Sequence, residues 1–319
     1  MPLLLELEAF VAAASSAPAP PSDLPVAERR AAAHAGIAQT FLAMVEPGPQ
    51  LADVRNLRVP VDGGEVPVRV YRPVDAAPLP CHLYFHGGGF WVGTIDHSDH
   101  ACRDLASAAE CVVISVGYRL APEHPFPTPP EDCYAALCWT VEHAADLGID
   151  PSNVSVGGVS AGGNLAAVLS LMARDRGGPS IVFQVLEIPV IDLTMSFPSV
   201  ETNGEGYVLT KQGMSSYRAQ YLTSTDQQRH PYASPIFADD LSGLPPALVM
   251  TAEFDPLRDE GEAYARRLED AGVPAVARRW EGHIHSSMSF TRISPSARTC
   301  QDEIASALRA SYRSRKTTP

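Results

Sequence analysis

Lysine is nearly missing from this 319-residue chain: Lys211 and Lys316 are the two it has among 24 basic residues. Acidic residues number 37, so the net charge is −13, which speaks against nucleic acid or an anionic membrane surface as partner. The arginine bias itself carries no functional reading. No apolar run reaches the ~18 residues of a membrane span. No C-x-x-C occurs, and the six cysteines (Cys81, Cys102, Cys111, Cys133, Cys138 and Cys300) are scattered, mostly within apolar runs. They read as reduced core residues of a cytoplasmic protein rather than as disulfides or zinc ligands. Met1–Pro20 is Leu/Ala-rich but lacks a positive leading region, and Glu6 and Glu8 interrupt it; a surface helix is expected there, not a signal peptide. Internal repeats and low-complexity tracts are also lacking.

What is there describes an ordinary core former, with 45% apolar and 19% charged residues, long enough for one large α/β domain with decoration. Residues 1–50 read as helices joined by a Pro/Ser loop at Pro18–Pro25. Ser22 or Asp23 is placed to cap a helix whose apolar face holds Ile37, Phe41, Met44 and Val45. Leu57, Val59 and Val61, then Val66, Val68 and Val70, alternate around Asp62-Gly63-Gly64, a hairpin signature. Strands are then expected at Leu83–Phe85, Cys111–Val116, Val154–Val156, Ile181–Ile188, Ala247–Thr251 and Ala275–Trp280. Helices are expected between and after them at Ser98–Ala109, Glu131–Leu147, Gly163–Arg174, Asp259–Ala271 and Pro295–Tyr312. Apolar strands alternating with amphipathic helices predict a mostly parallel sheet covered on both faces. Residues 195–240 are too long for a plain crossover and suggest an insertion over the carboxyl end of the sheet.

Gly158-Val159-Ser160-Ala161-Gly162 fits G-x-S-x-G between a β-branched run and a helical one. A serine on so sharp a turn has its hydroxyl lifted above the sheet, and its neighbours must lack side chains so that strand and helix can approach. A Gly-rich turn alone would satisfy the pentapeptide equally well. The second motif decides between them: His86-Gly87-Gly88-Gly89-Phe90 follows a strand, where bare N–H groups of Gly88 and Gly89, joined by that of Ala161, would stabilise an oxyanion. A serine nucleophile needs a base and an orienting acid, in the chain order Ser, acid, His. Of His230, His283 and His285, the last two follow the final strand. Asp255 follows the strand before it, with a helix cap as its alternative role. Glu187 is a second candidate acid, because a lone carboxylate in so apolar a run is costly unless paired.

Together HGGGF at 86–90, Tyr118-Arg119-Leu120-Ala121-Pro122-Glu123, GVSAGGN at 158–164, Asp255-Pro256-Leu257-Arg258-Asp259 and Gly282-x-x-His285 resemble the bacterial hormone-sensitive-lipase family (family IV) of α/β-hydrolases. The resemblance runs from about residue 55 to the C-terminus. It implies an α/β-hydrolase fold with a helical cap and a carboxylesterase acting on short acyl esters without cofactor or metal. By motif position, Ser160 would be nucleophile, His285 base and Asp255 acid, with Gly88, Gly89 and Ala161 as oxyanion donors and His86 and Gly87 supporting the loop. The cap would comprise residues 1–50 and 195–230, and the core 51–194 and 231–319. Phe90, Tyr207, Met214 and Tyr217 are candidates to line the substrate pocket. Three departures from the family pattern stand out: Val159 before the nucleophile, Gly117 before Tyr118, and Ser286-Ser287 in place of Gly-Phe.

Asp96-His97-Ser98-Asp99-His100 has metal-ligand residue types but reads first as a helix cap. Arg119 and Glu123 are expected to pair. The expected partner is a small-molecule ester, with monomer and homodimer both open. Amide chemistry of the arylformamidase kind on the same residues is the second enzymatic reading. A ligand-binding member of the fold would lack the histidine that is present here.

Overall fold

The computed structural model describes residues 2–16 and 24–316. Its elements in chain order begin with two helices, α1 (Leu5–Ser16) and α2 (Val26–Gly36), followed by the hairpin β1 (Asp53–Val61) and β2 (Gly64–Arg72). Then come β3 (Leu79–Phe85), α3 (Asp99–Ala109), β4 (Val112–Val116), α4 (Thr128–Glu142), α5 (Ala144–Leu147), β5 (Ile149–Val159) and α6 (Ala161–Asp175). After β6 (Gln184–Glu187) stand α7 (Pro198–Thr202) and α8 (Lys211–Tyr221), and the chain closes with β7 (Ala247–Phe254), α9 (Arg258–Asp270), β8 (Ala275–Ile284) and α10 (Pro295–Lys316).

The strands form one eight-stranded sheet in the order β1-β2-β4-β3-β5-β6-β7-β8. The first two pairings are antiparallel and the rest parallel. The inner parallel strands β3, β4, β5, β6 and β7 are buried on both faces, whereas the edge strand β8 exposes Val276–Arg279 and Glu281. Val154 and Val156 of β5 pack toward α4, α6 and α9, while Tyr84, Val113 and Met250 pack toward α3 and α10. This is the expected arrangement, and it leaves the carboxyl ends of β3, β5, β7 and β8 along one edge of the sheet, with that of β6 between β5 and β7.

Local chemistry explains where bounds differ from the sequence reading. Helix α4 starts earlier, because Pro129 and Pro130 sit in its first turn, where their missing N–H groups need no partner. It then breaks at His143, whose ring nitrogen bonds the Trp139 carbonyl at 2.9 Å. Of the expected strand 181–188 only Gln184–Glu187 is laddered; Ile188 turns away at φ +41° before Pro189. The expected cap residues Ser22 and Asp23 lie outside the described residues, and α2 begins directly after Pro25.

Helix α1 lies on the surface, as expected, with one face packed on the core. Leu7 is fully buried against Ile284 and Phe290. The link from α2 into the core is equally specific. Arg30 donates to the Trp91 and Ala121 carbonyls and to both oxygens of Glu123 at 2.6 and 2.8 Å. The expected Arg119–Glu123 pair is therefore not formed. Arg119 instead pairs with buried Asp132 at 2.6 Å, while Glu123 faces Arg30 of α2.

Candidate active site

The turn from β5 into α6 places Ser160 at φ +58°, ψ −116°, a region that costs a non-glycine residue on the order of 1–3 kcal/mol. The neighbouring glycines are required by contact. A Cβ on Gly158 would lie 2.3 Å from the Phe85 carbonyl oxygen, and one on Gly162 would lie 1.9 Å from it. The strain is held by three backbone bonds: Ser160 N–H donates to the Glu187 carbonyl at 2.8 Å, and the Ser160 carbonyl accepts from Asn164 and Val190 N–H at 3.0 and 3.2 Å.

The ring of His285, one residue beyond β8, lies between two side chains. Its Nε2 is 3.1 Å from Ser160 Oγ and its Nδ1 is 2.7 Å from Asp255 Oδ2. Asp255 follows β7 and is fully buried. Its other oxygen accepts Leu257 N–H at 2.8 Å, so both sides of the carboxylate are fixed. Chain segments 125 and 30 residues apart thus converge because β5, β7 and β8 run parallel with their carboxyl ends together. Glu187, the second candidate acid, does not reach His285. It is hydrogen-bonded to Gln301, and burial pushes its carboxyl up to about 7. His283 is held by Ser287 Oγ and Ser296 Oγ at 2.8 and 2.9 Å, and burial holds it at about 4. The His230 ring lies tilted against Phe126, 5.2 Å between centroids.

On the other side of Ser160 lies the loop after β3. Gly88 and Gly89 have φ +119° and +57°; a Cβ on Gly88 would meet the Val92 carbonyl oxygen at 2.2 Å, and one on Gly89 would meet the Tyr217 ring at 2.6 Å. Trp91 and Val92 N–H both return to the Gly88 carbonyl. Among the described residues, the N–H groups of Gly88, Gly89 and Ala161 have no protein acceptor. His86 braces this loop: its Nδ1 donates to the Gly87 carbonyl at 2.8 Å and its ring stacks on Tyr118 at 4.3 Å. The Tyr118 hydroxyl in turn donates to the His86 carbonyl. Burial lowers His86 to about 4, so the ring is neutral.

A cavity of about 340 Å³ opens over Ser160 and His285. Of the pocket candidates, Phe90, Met214 and Tyr217 line it, and Tyr207 does not. Tyr207 stacks on Phe254 at 4.8 Å, turned into the apolar cluster under α1, while its neighbours Val208 and Leu209 face the cavity. Phe10, Phe41 and Phe290 also contribute to the wall, and Phe290 sits edge-on to both others at 4.9 and 5.0 Å. Phe10 and Phe290 are the aromatics that pattern reading missed. The available signal was Leu7 and Phe10 at helical spacing in an N-terminal segment that needed something to cover.

The three departures have visible consequences. Val159 forms part of the cavity wall. At Gly117 a Cβ would approach Pro67 Cγ to 2.8 Å, so a larger residue would have to displace the hairpin. Ser286 carries the left-handed turn at φ +70° without glycine, and Ser287 Oγ bonds His283 and the backbone of Ile284. The segment 96–100 supplies the N-cap position of α3 at Ser98, with Asp99 in its first turn, and gathers no metal set among the described residues. Ser98 makes no side-chain capping bond; Asp96 and Asp99 are engaged by Arg69 and Arg103; and among the described residues no three His, Cys, Asp or Glu side chains are placed to hold a metal ion.

The sequence matches a family described as alpha/beta hydrolase fold over residues 82–289. It is 44% identical over 272 residues to the carboxylic ester hydrolase LipN of Mycobacterium tuberculosis (strain ATCC 25618 / H37Rv), covering 83% of this chain and 72% of that one. It is 39% identical over 255 residues to an arylesterase of Saccharolobus solfataricus, covering 80% and 83%. The structure superposes on a hyperthermophilic esterase from the archaeon Pyrobaculum calidifontis with a TM-score of 0.90 and 42% identity, over 97% of this chain and 99% of that one. By fold, motif order and similarity alike, the chain belongs to the α/β-hydrolase family.

Proposed function

We propose that this protein is a serine carboxylesterase that hydrolyses short-chain acyl esters through an acyl-enzyme on Ser160. One observation carries the reading: a single imidazole, His285, bridges a strained, cavity-facing serine and a buried carboxylate at 3.1 and 2.7 Å. Ser160 Oγ attacks the ester carbonyl carbon as His285 Nε2 takes its proton. Charge passes to the carbonyl oxygen, which the free N–H groups of Gly88, Gly89 and Ala161 receive. The imidazolium stays beside Asp255 and then protonates the departing alkoxide. Water, deprotonated by the same ring, attacks the acyl carbon; the tetrahedral intermediate collapses, the carboxylic acid leaves and Ser160 recovers its proton.

The walls support small substrates. Residues from 1–50 and 195–230 roof the cavity and act as a cap, and three phenylalanines crowd one side. No described helix is long and apolar enough to cross a membrane. Six free cysteines, five of them buried, support a cytoplasmic setting. The test is a panel of p-nitrophenyl esters of increasing acyl length, run with matched amides. Activity should peak at about four to eight carbons and favour esters. Faster turnover of long-chain emulsions, or of the amides, would overturn this assignment.

A further inference from the structure

One part of the cavity wall gathers polar side chains from β3 and the start of α3. Tyr84, at the end of β3, and His97, Ser98 and His100, at the start of α3, all line it. Buried polar groups are normally hydrogen-bonded, and each exception calls for an explanation. One such exception lies here, beside cavity-lining polar groups that also lack a protein partner. His97 Nδ1 is buried without a partner. Ser98 makes no side-chain cap bond, and among the described residues the side chains of Tyr84, Ser98 and His100 bond to no protein group. The carboxylates that flank them in sequence are already engaged: Asp96 by Arg69, and Asp99 by Arg69, Arg103 and the Tyr71 hydroxyl.

The state of the two imidazoles defines what they can hold. Burial lowers both; each is further lowered by a neighbouring histidine, and His100 is held at about 4. At neutral pH each ring therefore presents one N–H donor and one bare nitrogen acceptor, with no charge. A site of this kind rewards a neutral polar group and gains little from a carboxylate. It also discriminates against a purely apolar one, because that would leave its own buried donors and acceptors unpaired.

We propose that this part of the cavity is a specificity subsite, in which His97, Ser98, His100 and Tyr84 receive a neutral hydrogen-bonding group (a carbonyl, ether or hydroxyl) at the non-reacting end of the ester. The subsite rests on the esterase reading and narrows it to esters with a polar terminus. The experiment compares kcat/KM within isosteric pairs. For the acyl arm the pair is p-nitrophenyl pentanoate and p-nitrophenyl 4-oxopentanoate; for the alcohol arm it is butyl acetate and 2-methoxyethyl acetate. The polar-to-apolar ratio is measured in the parent and in His97→Leu and His100→Leu, with His100→Asn, which keeps a donor and an acceptor, as the milder variant. In the arm that reaches the subsite, each leucine variant should lower the ratio about tenfold, and asparagine should lower it less. Because intrinsic ester reactivity is the same in every variant, only contact with the altered side chain moves the ratio. Ratios unchanged within about twofold in both arms, in enzyme that still turns over esters, would overturn the subsite alone. Parent protein that hydrolyses none of the four esters would overturn the esterase reading, and the subsite with it.

Discussion

Asp255→Asn changes one atom of a buried, doubly bonded carboxylate, and the geometry dictates the consequence. The oxygen that accepts Leu257 N–H at 2.8 Å must remain an oxygen, since an NH₂ there would oppose the backbone donor. The new NH₂ is thereby turned toward His285 Nδ1, 2.7 Å away. That nitrogen must become an acceptor, so the ring proton moves to Nε2. Nε2 now points an N–H at Ser160 Oγ, 3.1 Å away, and cannot take its proton. The imidazolium formed during attack also loses its counter-charge. Equivalent changes in other serine triads lower kcat by roughly 10⁴, which corresponds to about 5 kcal/mol in the barrier. The assay is kcat on p-nitrophenyl butyrate at neutral pH, after circular dichroism and thermal melting show a folded variant. Turnover within tenfold of the parent would refute the tautomer argument and, with it, Asp255 as the orienting acid.

Other outcomes follow from the neighbouring contacts. Glu187→Gln should retain far more activity than Asp255→Asn, because Glu187 bonds Gln301 and not His285. Its effect should lie in stability. The folded carboxyl titrates at about 7 rather than 4.5, so its contribution is complete below about pH 4.5 and is lost as pH rises through 7; the parent should lose on the order of 3 kcal/mol relative to Glu187→Gln between pH 4 and 8. Parallel melting curves across that range would contradict this. Gly162→Ala should destabilise by more than ~2 kcal/mol and abolish turnover, since its Cβ would meet the Phe85 carbonyl oxygen at 1.9 Å and backbone must move; a Tm within a degree of the parent would show that the elbow tolerates a side chain.

Much of this architecture is legible in the sequence because it is encoded locally. Val154 and Val156 alternate into the core, the Leu165–Met172 face has helical period, and Gly158 and Gly162 are glycine because a backbone oxygen occupies their Cβ positions. Chain order and motif position pick out Ser160, Asp255 and His285, which the parallel sheet brings together. Contacts between distant segments are less legible. Arg119 and Glu123, four residues apart, suggest a local pair, yet their partners are Asp132 and Arg30, the latter 93 residues from Glu123. Tyr207 and Leu209 are equally apolar in pattern, and only the path of the cap turns one away from the cavity and the other toward it. His97 and His100 read as possible metal ligands or cap residues; their neutral, unpartnered state depends on burial that no spacing reveals.

The central claim is that Ser160 carries the acyl group. Ser160 and Ser160→Ala proteins, both confirmed folded, should be mixed with p-nitrophenyl butyrate, quenched in acid within milliseconds and read by intact-mass and peptide mass spectrometry. The account predicts a butyryl adduct on the peptide containing Ser160 in the parent, and neither adduct nor steady-state turnover in Ser160→Ala. Turnover by Ser160→Ala within tenfold of the parent, or a butyryl group mapped to another residue, would contradict it.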